Sequence, residues 1–424
     1  MSGTSRRLPA ILLASLAACA AGSAASAQDL LIRNARVHTA SAAGTLANAD
    51  VLVRGGRIAA LGPGLAAPAG ATVIDAGGRA LTPGLFGGLT QIGVEEVSLE
   101  PATVDEEVTL TAPAWQHQWR PEFDVTRAFN PRSALAAVAR VEGVTWTMVS
   151  PLSSTSLIAG QGGAALLDGG YDAVQPGSRT LFVHWGATAA AASGGSRAAQ
   201  FMLLDQAIRE VREPATAGEG ALLQPEGRAA LKSYLAGGRV VFRAERASDI
   251  RQVIAYAQRH GMKPVIAGGD EAWLVARELA AADVPVILNA LDNLPASFDR
   301  LGARLDNARI LHEAGVRIAF STGDGHMARK NRQLAGNAVA HGLPWEAALA
   351  AVTSSAADIF GIGADRGRIE AGKIADLVLW SGDPLEVTTV AEQVWIAGQA
   401  VAMRSRQTEL RDRYLELLRS NGAK

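Results

Sequence analysis

From residue 226 onward the chain alternates short apolar runs with segments of helical length, and this alternation constrains its fold more than any other feature. "GRVVFRA" leads to a helix over 247–260, "KPVIAGG" to one over 271–282, "VPVILNA" to one over 298–314 and "GVRIAFSTG" to one over 327–341, with a further helix over 344–361. Strands apolar on both faces and separated by helices form parallel sheets covered on each side. Two earlier units have the same form: "PRSALAAVARVEG" feeding "VTWTMVSP", and "TLFVHW" followed by "SRAAQFMLLDQAIREV". The count approaches eight, which predicts an α/β fold with a (β/α)8 TIM barrel over 81–362 in preference to an open doubly wound sheet. Segments 95–130 and 186–195 read as long loops.

The two ends have a different texture. Residues 29–80 are short β-branched or aliphatic runs separated by Gly and Asn turns, with Gly55-Gly56 as a two-residue hairpin signal. The same texture returns in "GRIEAGKIADLVLWSGD" and "AEQVWIAGQAVAM". Neither set has enough strands to cover an apolar face alone, so 29–80 and 363–404 are predicted to build one composite β-sandwich domain. In the final segment, 405–424, Leu410, Tyr414, Leu417 and Leu418 fall on one helical face, which predicts a helix packed on the body.

With 424 residues, 48% of them hydrophobic and 19% charged, the chain can bury a large core, and its formal net charge of -1 gives no pull toward nucleic acid. The N-terminus reads as a signal peptide over 1–27: Arg6 and Arg7 precede the apolar "LPAILLASLAACA", too short to span a bilayer, and Ala25-Ser26-Ala27 form a small-residue cleavage site. Cleavage there predicts a periplasmic or secreted protein without a transmembrane segment. "LAAC" ending at Cys19 encodes the alternative, a lipidated N-terminus. Cys19 is the single cysteine, so the folded part holds no disulfide and no thiolate chemistry. No G-x-S-x-G elbow is present either.

The segments "VIDAGGRALTPGL", "GVTWTMVSP…GQGG", "RASDIRQVIAYAQRHGMKPVIAGGDEAW…ADVPVILN" and "HGLPWEAALAAVTSSAADIFGI…GRIEAGKIADLVLWSGDPLE", taken in this order, resemble the amidohydrolase superfamily and its imidazolonepropionase-like branch. The resemblance covers nearly the whole chain after the leader. It implies hydrolysis of C–N bonds in a non-peptide amide, a cyclic amide or a dipeptide-like molecule. It also implies one or two divalent ions held by a His-x-His pair on the first barrel strand, a His on the fifth, a His on the sixth and an Asp on the eighth. Such an ion makes hydroxide available at neutral pH.

At the positions that match, the pair is Leu89 and Gln91, the fifth strand carries Arg243-Ala244-Glu245, and the sixth-strand position is Gly268. Only Asp324, displaced by Gly323, stands for the eighth-strand acid. Leucine and glycine offer no ligand, an amide is a poor one and arginine has no lone pair to give. No metal is therefore expected at the family site, and zinc only with another ligand set, drawn from Asp324, His326, Glu245 and His117 or His184. His38, His260, His312 and His341 read as structural.

The candidate catalytic residues are Asp324, Glu245, Arg243 and His326, and the candidate substrate-binding residues Gln91, Gln161, Asn289 and His184. "AGQGGA", 159–164, is either an amide nest or a turn. The Arg243 guanidinium is expected to fill the vacated metal position and pair across the barrel with a buried Asp324; the alternative is a local pair with Glu245. Two functions remain open: an exported C–N hydrolase with a degenerate metal site, and a non-catalytic relative that binds a small ligand. A small molecule is the expected partner, and homo-oligomerisation is left open.

Overall fold

The computed structural model describes residues 29–108, 119–292 and 294–422. The leader, Cys19, Trp115 and His117 lie outside them, so the leader, lipidation and His117 readings fall outside the described residues. The N-terminal strands are β1 (Leu30–His38), β2 (Thr45–Arg54), β3 (Arg57–Gly62), β4 (Thr72–Asp75) and β5 (Ala80–Pro83). The barrel strands follow as β6 (Leu85–Thr90), β7 (Val144–Val149), β8 (Ile158–Leu166), β9 (Thr180–His184), β10 (Arg239–Ala244), β11 (Lys263–Gly268), β12 (Val286–Leu288) and β13 (Ile318–Phe320). Near the C-terminus come β14 (Leu377–Trp380), β15 (Ala391–Ile396) and β16 (Gln399–Ala400).

The strands of the two chain ends form one hydrogen-bonded sheet in the order β16-β15-β14-β5-β1-β2-β3, with β4 beside β1. The seam is β5 against β14, antiparallel, with Leu379 opposite Leu81 and Leu377 opposite Pro83. One apolar cluster joins both ends: Ile32, Val51 and Leu81 pack with Leu377, Leu379 and Trp395. The buried Arg366–Asp376 ion pair lies beneath it, and Asp376 also accepts from the Ala397 amide at 2.9 Å. The Gly55-Gly56 turn joins β2 to β3, both glycines having positive φ, as the sequence pattern requires.

The second sheet runs β13-β12-β11-β10-β9-β8-β7-β6 and is a nearly closed barrel. Side chains complete the closure between its edge strands. Ser321 Oγ accepts from the Leu89 amide at 2.9 Å, and Asn331 Nδ2 donates to the carbonyls of Phe86 at 3.1 Å and Phe320 at 2.8 Å. The expectation of eight parallel βα units needs correction at one strand, because β8 is antiparallel to both β7 and β9. Only residues 150–157 link β7 to β8, and a parallel crossover takes a dozen or more residues. The run 159–164 lies within β8, so it is neither a nest nor a turn. Glycine there permits close approach: a Cβ on Gly162 would stand 2.1 Å from the Val149 carbonyl oxygen.

The helices after the strands follow the apolar spacing where it is strongest. They are α1 (Ala134–Arg140), α2 (Arg197–Arg212), α3 (Pro225–Leu235), α4 (Ala247–His260), α5 (Ala276–Ala281), α6 (Asn307–Glu313), α7 (Asn331–Ala340), α8 (Trp345–Ala351), α9 (Ser354–Ile359) and α10 (Arg406–Gly422). In α4 Ile250, Val253, Ile254 and Ala257 face the barrel, and Gly261, with φ of 72°, closes the last turn. The helix expected over 298–314 shrinks to α6, because Asp299 pairs with Arg197 and Arg300 with Asp270 and Asp292 instead of continuing a helix. The final helix forms, but not as expected. Leu410 at its start is half-buried and the helix touches α1, but Tyr414, Leu417 and Leu418 are exposed, so most of its apolar face is left uncovered.

Candidate functional site at the barrel mouth

The cavity at the C-terminal ends of the barrel strands has a volume of about 150 Å3 and is lined by Leu89, Arg243, Glu245, Asn289, Asp292, Arg300 and Thr322 among others. Strand β10 supplies its deepest charge. Arg243 lies in register with His184 of β9 and Ala267 of β11. Arg243 is part-buried as a residue and lines this cavity.

Among the described residues Arg243 has no ion pair. Its Nη2 makes one long contact, 3.4 Å, to Ser150 Oγ, and its buried Nε has no partner. Burial pushes its pKa down to about 10, with Glu245 opposing. At neutral pH it is still a cation.

Glu245 stands two residues beyond, just past the end of β10. Its Oε2 accepts from the Asp270 amide at 3.3 Å. Burial, reinforced by the neighbouring Asp270 and opposed by Arg300, raises its pKa to about 7. Arg300 cannot serve Glu245 fully because it is already engaged by Asp270 and, at 2.5 Å, by Asp292. His184 is buried with its Nε2 unpartnered, and desolvation together with the Arg243 charge lowers its pKa to about 3, so it is neutral. Gln91, also buried, donates from Nε2 to Ser150 Oγ at 3.3 Å and so reaches Arg243 through that serine.

The expected sites divide accordingly. Arg243, Glu245 and Asn289 line the cavity, with His184 and Gln91 behind Arg243. Gln161 does not belong: its amide donates to the Pro121 carbonyl at 2.8 Å and accepts from the Tyr234 hydroxyl at 2.9 Å, which makes it a structural cross-brace. Asp324 is exposed rather than buried, and its carboxylate accepts from the His326 amide at 2.7 Å and the Met327 amide at 3.3 Å. The cross-barrel Arg243–Asp324 pair is therefore absent, and so is the local ion pair with Glu245. His326 is exposed, with Nε2 3.8 Å from Glu95.

The sequence reading missed Ser150, Asp270, Asp292 and Arg300. Asp270 follows the sixth strand after Gly269 in "AGGDE", where a barrel strand delivers residues to the mouth; Arg300 falls within the helix expected over 298–314, and Asp292 just before it.

The donor set does not fit a catalytic divalent ion. Leu89 and Gly268 carry no donor, Arg243 brings a positive charge to the fifth-strand position, and Asp324 points into its own loop. Among the described residues no three His, Cys, Asp or Glu side chains are grouped to hold a metal, and a catalytic site wants about three protein ligands.

Comparison with known proteins places this barrel in a class. Residues 228–401 match the sequence profile described as the amidohydrolase family. The solved structure of an amidohydrolase from Thermotoga maritima MSB8 superposes with a TM-score of 0.78 at 25% identity, covering 88% of this chain and all of that one. Over these residues and in its fold the chain is similar to members of the amidohydrolase superfamily. Locally it is 52% identical over 60 residues to an amidohydrolase of Hapsidospora irregularis and 53% identical over 58 residues to a dihydroorotase of Geobacter sp. (strain M21). Those matches span 14% of this chain and only 6% and 13% of the two relatives.

Proposed function

We propose that the barrel mouth binds a small amide, cyclic amide or dipeptide-like molecule and hydrolyses its C–N bond without a divalent ion, with Glu245 as the acid–base group. The observation that carries this reading is the Glu245 carboxyl, held near neutrality inside a cavity that also contains a fixed cation. A group with a pKa near working pH exchanges protons in both directions, which suits it to take a proton from water and return it to a leaving amine. Arg243 orients the ligand; it cannot generate hydroxide. The test is turnover of a panel of small amides and dipeptides by chelator-treated protein, followed by amine release. Activity that survives chelation and disappears in Glu245→Gln supports the reading, whereas activity that needs added zinc refutes it.

A second reading, ligand binding without turnover, is favoured by the loss of every imidazole at the family positions. Saturable binding with no amine release would select it. We also propose export with cleavage after Ala27, supported by the basic, apolar and small-residue regions of the leader. Mass spectrometry of the mature N-terminus tests this, and a lipidated Cys19 would move the cleavage site.

A further inference from the structure

Arg243 lacks what a buried cation needs. A charge taken out of water is retained when an anion or a full set of acceptors compensates it. Here the described surroundings offer one long hydroxyl contact, while Nε has nothing. The other cation of the cavity, Arg300, is neutralised by Asp270 and Asp292. The imidazole beside Arg243 is neutral, and Gln91 turns its donating Nε2 toward Ser150. The cavity itself holds roughly five waters' worth of space at ~30 Å3 each.

We infer that the molecule taken by the barrel mouth is a small monocarboxylate, and that its carboxylate completes the coordination of the Arg243 guanidinium. This rests on the reading of the mouth as a small-molecule site and names the chemical class it accepts. A planar guanidinium matches a carboxylate in a two-point bond, short and charge-assisted. The remainder of the ligand is a short arm without a second negative charge, since the acidic Glu245 and Asp292 line the cavity beside the uncharged Asn289 and Thr322. A phosphate dianion fits less well, because Glu245 and Asp292 share the cavity and would repel the second charge.

The test uses the full chain and three probes measured by titration calorimetry: N-acetylglycine, its neutral isostere N-acetylglycinamide, and inorganic phosphate. The expected result is saturable 1:1 binding of N-acetylglycine, at least tenfold tighter than the amide or phosphate. That preference should vanish in Arg243→Met and be partly retained in Arg243→Lys, with both variants shown to be folded by their melting transitions. Equal binding of acid and amide would overturn the inference while leaving the small-molecule site standing. Binding of N-acetylglycine that survives in Arg243→Met, or a preference for phosphate, would also overturn it. Failure of all three probes to bind would sink both the inference and the site.

Discussion

The Glu245 carboxylate occupies the space that a side chain at Gly268 would need: a Cβ placed on Gly268 would lie 2.2 Å from Glu245 Oε1. Gly268 also has φ of 95°, in the region other residues adopt only at a cost of roughly 1–3 kcal/mol. The residue standing at the family's sixth-strand ligand position is thus incompatible with any side chain while Glu245 keeps its place. Gly268→Ala should destabilise the protein by about 2 kcal/mol or more in urea unfolding. In a Glu245→Ala background the cost should fall but not vanish, because the backbone strain remains. Strictly additive effects would contradict the contact.

Arg243 and Asp324 are not partners, so their substitutions should not couple. Arg243→Met removes a buried cation without leaving an acid unpaired, and is expected to raise stability by the order of 1–3 kcal/mol in the absence of ligand. Asp324→Asn should cost no more than about 1 kcal/mol, the scale of a local turn or cap bond, and should act additively with Arg243→Met. Thermal melts of the two single variants and the double variant check both statements.

Two groups at the mouth make stability depend on pH in opposite senses. Glu245 has its pKa raised from 4.5 to about 7. The folded state therefore holds the proton more tightly, and this contribution is full below about 4.5 and lost as pH rises through about 7. It amounts to roughly 3 kcal/mol at most, with solvent in the cavity reducing it. His184 has its pKa lowered from 6.5 to about 3, so its contribution is full above about 6.5 and lost as pH falls toward about 3. The two slopes oppose each other between about 4.5 and 6.5. Urea midpoints across that window should be flatter in the unsubstituted protein than in Glu245→Gln, whose stability should climb with pH.

Asn331 joins the first and last barrel strands. Besides the carbonyls of Phe86 and Phe320 it accepts from the Thr322 amide at 3.1 Å, and it is almost completely buried. Asn331→Ala would leave three backbone groups, two buried carbonyls and the part-buried Thr322 amide, without this partner, each worth about 1 kcal/mol. A loss of about 3 kcal/mol is expected by denaturant unfolding, with faster amide exchange in β6 and β13 than elsewhere in the barrel. Asn331→Asp should lose nearly as much, since a carboxylate cannot donate to the two carbonyls.

The sequence by itself determined the elements whose information is local. The 3.6-residue spacing of Ile250, Val253, Ile254 and Ala257 fixed α4 to its exact limits, and Gly55-Gly56 fixed the β2–β3 turn. It also showed which donor atoms are missing at Leu89, Gln91, Arg243 and Gly268, because ligand chemistry is a property of residue type. Only the tertiary structure decided what depends on direction and on neighbours distant in the chain. The short link before β8 reverses that strand, and most of the apolar face of α10 stays exposed although its spacing resembles that of packed helices. Asp324 turns outward because backbone amides two and three residues ahead capture its carboxylate. Arg300 reaches the mouth because Asp270 and Asp292, on two different connections, hold it there. Whether a charged side chain is paired depends on the three-dimensional positions of all its neighbours at once, which is why the isolation of Arg243 emerges only when the barrel is assembled.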